Sequence, residues 1–147
     1  MKIIESQAAV LSNYEVYQHL VDQRERYKLK KRRGPPNLET LLQYLRTQPS
    51  PLSQEPSTYT AGCIGQLLER LHPYELSKGE VVTILNLRPA SVAALNTVVE
   101  DMSERFNDEQ QEDMVNIIAQ VLGQFDVDEA EQAEQADDVG MDDAPVA

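Results

Sequence analysis

Apolar residues recur at helical spacing along most of this chain. Val92, Leu95, Val99, Met102 and Phe106 fall at i, i+3, i+7, i+10 and i+14, which predicts one helix over about 90–105 with a single buried stripe. Immediately before it, Leu85-Asn86-Leu87-Arg88-Pro89 ends one helical pattern and begins the next with almost no loop. Pro89 cannot continue a helix but can open one. The helix that stops there, at about 78–86, carries Val81, Val82, Ile84 and Leu85 and is apolar nearly all round, as expected of a buried element. Ser77-Lys78-Gly79-Glu80 reads as its capping box, with a serine hydroxyl for an orphan amide and a glutamate three residues on.

The same reading extends in both directions. Ser12-Asn13-Tyr14-Glu15 is a second capping box and opens a helix to about Lys28. Its stripe of Tyr17, Leu20, Val21 and Arg24 is modest, so it reads as a docking helix rather than a central core helix. Asn37 is placed to cap a helix bearing Leu38, Leu41, Leu42 and Leu45 as core. Residues 47–57 hold three prolines and three serines and read as a loop. A helix over about 60–71 presents Ile64, Leu67, Leu68 and Leu71, and His72-Pro73 ends it. The final helix is capped by Asn107 or Asp108, carries Met114, Val115, Ile118, Val121 and Leu122, and stops at Gly123. Lys2-Ile3-Ile4-Glu5 is either a frayed terminus or a short strand that would need a partner's sheet edge.

Charge divides the chain. The net charge is −12, yet residues 126–147 carry nine acids and no base, which leaves about −3 on the remainder. Residues 24–33 hold seven of the thirteen basic side chains. The expected organisation is therefore a docking strand, helix and basic linker over 1–36, a mainly α helical bundle over 37–124, and a disordered acidic tail over 125–147. Aromatics make up only 5% of the chain, so the core must be aliphatic and small. A thin core with apolar residues left over suggests completion against a partner.

The chemistry is sparse. His19 and His72 lie in separate elements, and Cys63 reads as a small core residue that allows no intramolecular disulfide. No metal-ligand spacing, phosphate-cradling loop or calcium loop appears, so neither an enzyme nor a cofactor is expected. No 18-residue apolar window exists, and no signal peptide, membrane span or lipidation signal is expected. Lys30, Lys31, Arg32 and Arg33 form a solvated linker, a nuclear-import signal or a nucleic-acid contact. The run lacks interleaved aromatics, and the overall acidity makes direct nucleic-acid contact weak or absent. Arg88 either bonds helix-terminal carbonyls and fixes its turn or faces a partner carboxylate, with Asn86 capping or bridging beside it. Tyr14 and Tyr17 suit an interface, since tyrosine offers contact area with a polar tip.

Two strings carry a resemblance. "LNLRP" at 85–89, followed by "VVEDMSERF" at 98–106, resembles the family of small stalk subunits of RNA polymerase III, also named the calcitonin-gene-related-peptide receptor component family. "LSNYEV" at 11–16 is a second match, and together they cover most of residues 1–123. Related subunits serve RNA polymerase II and the archaeal polymerase. The resemblance implies a bundle like the helicase-and-RNase-D C-terminal (HRDC) domain. It implies a non-catalytic nuclear subunit that pairs with the larger stalk subunit, joins the polymerase core and initiation factor, and supports initiation at transfer-RNA and 5S ribosomal-RNA genes. Partner contacts are then expected at Ile3, Ile4, Leu11, Tyr14, Tyr17, Leu20, Asn86 and Arg88. The alternatives are the equivalent polymerase II stalk subunit and a free helical nucleic-acid-binding domain.

Overall fold

A computed structural model describes residues 9–125. The expected strand with Ile3 and Ile4, and the acidic segment 126–147, lie outside the described residues. Among those described there are seven α-helices and no strand: α1 Asn13–Leu29, α2 Leu38–Leu45, α3 Cys63–Leu71, α4 Lys78–Leu87, α5 Val92–Asn96, α6 Met102–Arg105 and α7 Asp108–Leu122. The fold is mainly helical, as expected. α3 packs along α7, α1 lies against α2 and α4, and α5 also meets α7.

The caps form largely as read. Ser12, Ser77 and Asn107 each close a capping box with Glu15, Glu80 and Gln110. Asn37 does not cap with its side chain: its backbone is helical, and the Leu38 N–H goes instead to the Pro35 carbonyl at 3.1 Å. The Gly-Pro-Pro turn has already bent the chain into helical geometry, so no extended cap residue is left. α7 ends at Gly123, whose φ of 79 is left-handed and whose added Cβ would stand 2.7 Å from Thr58. Only glycine meets both demands.

The core is mostly aliphatic, with Tyr14, Tyr59 and Phe106 added, and is centred on Cys63, Leu67, Ile84, Leu95, Met114, Ile118 and Leu122, all essentially buried. Cys63 takes the core place expected of it. Leu41, expected in the core, is exposed, and so is Leu68 on α3. Residues 47–57 are less loose than their composition suggests, because a 3₁₀ turn over Pro51–Ser53 buries Pro51 and Leu52.

Two expectations need correction. The single helix over 90–105 is broken. Ser91, not Pro89, caps α5, and Asp101 adopts φ 50 before α6 begins. The break is held by Glu80, whose Oε1 accepts from Glu100 N at 3.1 Å and Arg105 Nη1 at 2.7 Å. The stripe nevertheless survives, with Leu95, Val99, Met102 and Phe106 all buried. Apolar spacing records which side faces the core, and the non-helical turn over residues 97–101 does not alter that side.

The second correction concerns α1, which belongs to the bundle rather than lying outside it. Tyr14 sits in the main core edge-on to Tyr59, with ring centroids 5.5 Å apart, and Val16, Tyr17 and Leu20 pack beside it. The boundary expected after residue 36 therefore falls between helices that pack on one another.

Candidate partner-docking surface

The sites predicted from sequence separate into three environments. Tyr14 and Arg88 are buried, Tyr17 and Leu20 are half-buried along α1, and Leu11 is 56% exposed just before α1. Asn86 acts as a bridge: its Oδ1 accepts the Asn13 N–H at 2.8 Å and ties the start of α1 to the end of α4. Lys30, Lys31, Arg32 and Arg33 are exposed as expected. The run is nevertheless a folded turn, since Lys31 N–H reaches the Lys28 carbonyl and Arg32 N–H the Tyr27 carbonyl, both at 3.0 Å.

Arg88 takes the intramolecular reading, with a different carbonyl from the one its position suggests. It caps α4 at φ 47, and its Nη1 donates to Gln54 Oε1 at 2.8 Å, Thr58 Oγ1 at 2.9 Å and the Leu122 carbonyl at 3.2 Å. The Leu122 carbonyl is an orphan acceptor at the end of α7. Thr58 Oγ1 also donates to it, at 2.5 Å. The guanidinium lies 4.4 Å from the centroid of the Phe125 ring. Burial pulls its pKa down from the usual arginine range. Arg88 thus joins the α4–α5 junction, the 3₁₀ turn region and the end of α7.

The exposed apolar face is built from residues that the sequence reading did not single out. Tyr44 is 73% exposed and Leu87 60% exposed. They line a groove of about 220 Å³ with Asn13, Pro49 and Asn86, where the ends of α2 and α4 meet the start of α1. Leu11 lies two residues before Asn13. A second groove along α1 is lined by Tyr17, Gln18, Val21 and the edges of Tyr14 and Tyr59. Tyr44 falls outside the Leu38, Leu42 and Leu45 positions that α2 buries, and Leu87 ends a helix that is apolar nearly all round, so spacing marks neither as surface. An apolar residue off a stripe marks a surface only once neighbouring helices fail to cover it.

Among the described residues no three His, Cys, Asp or Glu side chains stand close enough to hold a metal ion. His19 and His72 are exposed on different elements. Burial pushes the Cys63 thiol up and away from a reactive thiolate. Burial also raises Tyr59, whose hydroxyl donates to the Leu85 carbonyl at 2.6 Å. No helix among the described residues is long and apolar enough to cross a membrane. What the geometry offers is an apolar surface with polar bridges, suited to protein contact.

Comparison with known proteins gives a consistent picture. The profile of the RNA polymerase Rpb4 family matches residues 10–122, which spans every helix from α1 to α7. The chain is similar to DNA-directed RNA polymerase III subunit rpc9 of Schizosaccharomyces pombe, with 32% identity over 127 residues covering 74% of this chain and 89% of that protein. It is also similar to DNA-directed RNA polymerase III subunit RPC9 of Saccharomyces cerevisiae, with 27% identity over an alignment of 158 positions covering 81% of this chain and 98% of that protein.

Proposed function

The chain belongs to the RNA polymerase Rpb4 family, and from that membership we propose that it is the small, non-catalytic stalk subunit of DNA-directed RNA polymerase III. The observation that carries this reading is that both yeast relatives are named as polymerase III subunits and align over nearly their whole length. The chain pairs with the larger stalk subunit and supports initiation at transfer-RNA and 5S ribosomal-RNA genes. It works in the nucleus, and the exposed turn Lys30–Arg33 is its import signal. Its bundle is of the HRDC type.

The contact face in this reading combines Leu11, Tyr17, Leu20 and Asn86 with Tyr44 and Leu87, and Ile3 and Ile4, outside the described residues, are proposed as further partner contacts. Support comes from the exposed Tyr44 and Leu87 lining one groove where α1, α2 and α4 meet. Tyr14 and Arg88 act indirectly, by holding that face in shape.

Affinity purification of the tagged full chain, followed by mass spectrometry, tests the assignment. Polymerase III-specific subunits and the larger stalk subunit should be recovered in equal amounts. Recovery of polymerase II-specific subunits instead would sink it. Leu11→Glu combined with Leu87→Glu should reduce recovery of the larger stalk subunit while helical content by circular dichroism stays unchanged. Undiminished recovery would remove this face from the interface.

A further inference from the structure

A cleft of about 290 Å³ lies at the far end of α1, where the basic turn meets the start of α2. Arg24, Tyr27, Lys28, Arg32, Arg33 and Glu39 line it. The turn is held close: a Cβ on Gly34 would stand only 3.3 Å from both Tyr27 and Leu38. The cations are therefore presented by a folded turn rather than spread along a linker. Of the four cations lining the cleft, only Arg24 has an ion-pair partner among the described residues, Glu39 at 3.7 Å, while Lys28, Arg32 and Arg33 have none there. Arg24 Nε is buried without a hydrogen-bond partner. Such a concentration of like charge favours an anionic occupant.

The complementary charge lies in the same chain. Residues 24–33 carry seven cations, and residues 126–147 carry nine carboxylates with no base. The distance also fits. Phe125 lies on Arg88, and the neighbouring Asn86 bonds the first residue of α1, so the residue that precedes the acidic segment lies on the side of the bundle where α1 starts. The cleft is at the other end of a 17-residue helix, a span of about 25 Å at 1.5 Å per residue. A polar chain of 22 residues has a root-mean-square reach of about 25 Å. Effective concentration is greatest when reach matches span, and lies near the millimolar range.

We propose that the acidic segment 126–147 occupies this cleft in the same molecule, as a counter-charge that any competing polyanion must displace. The proposal does not depend on the polymerase assignment. The occupant is a carboxylate-rich peptide held by guanidinium and ammonium groups, with contacts that are multiple, exchangeable and salt-sensitive.

The test uses the full chain, with all nine acids of 126–147 replaced by their amides. Backbone amide resonances of Lys28–Gly34 should shift relative to the native chain. Raising salt from about 50 to about 500 mM should produce the same shifts in the native chain and little change in the variant. Native shifts should not depend on protein concentration; a dependence would mean that a second copy fills the cleft and would overturn the proposal. As a reciprocal variant, Arg32→Gln with Arg33→Gln should move resonances of the acidic segment. A fluorescent 12-mer oligothymidylate should bind the amide variant about tenfold more tightly than the native chain at low salt. Tighter oligonucleotide binding with unmoved Lys28–Gly34 resonances would mean repulsion at a distance, and the intramolecular contact would be rejected.

Discussion

Arg88 and Glu80 are the two buried charges whose contacts reach furthest across this chain. Arg88 holds the Leu122 carbonyl, Thr58 and Gln54 from a single Nη1, and a left-handed backbone places it there. Arg88→Ala should cost about 1–3 kcal/mol in denaturant unfolding, because those acceptors lose their donor inside the protein. Arg88→Lys should recover only part of this, since an ammonium cannot reproduce the planar fork or its stacking on Phe125. Glu80 is opposite in sign. Burial alone would raise its pKa, but the Arg105 guanidinium, the Ser77 and Glu100 amides and the Ser77 hydroxyl together lower it from 4.5 to about 2. A lowered folded-state pKa stabilises above the unfolded value and loses that contribution as pH falls through the folded one. Glu80→Gln should therefore be about 1–3 kcal/mol less stable at pH 7. The gap should close between pH 4.5 and about 2 in unfolding curves taken across that range. A gap independent of pH would mean that the carboxylate's charge is not what holds the α5–α6 break.

At the scale of the elements, the broken region 90–105 separates face from backbone path. Leu95 is fully buried although its helix is only five residues long. Leu95→Ala should cost about 2–4 kcal/mol, from lost transfer energy and the cavity left behind, read as a shifted unfolding midpoint. An unchanged midpoint would mean that the stripe faces outward. Gly123 tests the end of α7. A side chain there would need a left-handed φ and would collide with Thr58, which itself donates to Leu122. Gly123→Ala should destabilise by more than the roughly 1 kcal/mol usual for alanine at positive φ, because Thr58 and the Arg88 network must also move.

Across the whole molecule, α1 is the element whose role changes most between sequence and fold. Its weak apolar stripe suggests an appendage, whereas Tyr14 enters the core and Asn13 bonds Asn86. Removal of residues 1–28 should therefore lower the thermal midpoint of the remaining bundle, measured by circular dichroism at 222 nm. An unchanged midpoint would show that residues 37–124 fold as an independent unit and would restore the boundary after residue 36. The weak stripe hid this role because tyrosine scores poorly as an apolar residue, while its ring packs edge-on to Tyr59 as a core group does.

Local interactions explain what the sequence alone determined. Capping boxes at Ser12 and Ser77, the cap at Asn107, the stop at Gly123 and the buried stripe from Leu95 to Phe106 depend on residues within a few positions of each other, so spacing reveals them. The family strings at 11–16, 85–89 and 98–106 are legible for the same reason. The tertiary structure decided everything that required distant residues to meet. Arg88 finds its carbonyl 34 positions away, Glu80 holds an amide 20 positions away, and Tyr14 finds Tyr59 across the core. The exposed apolar face emerges only when three helix ends converge and leave Tyr44 and Leu87 uncovered. Burial is a property of what surrounds a residue, and those neighbours are chosen by the packing of whole helices rather than by the string in which the residue sits.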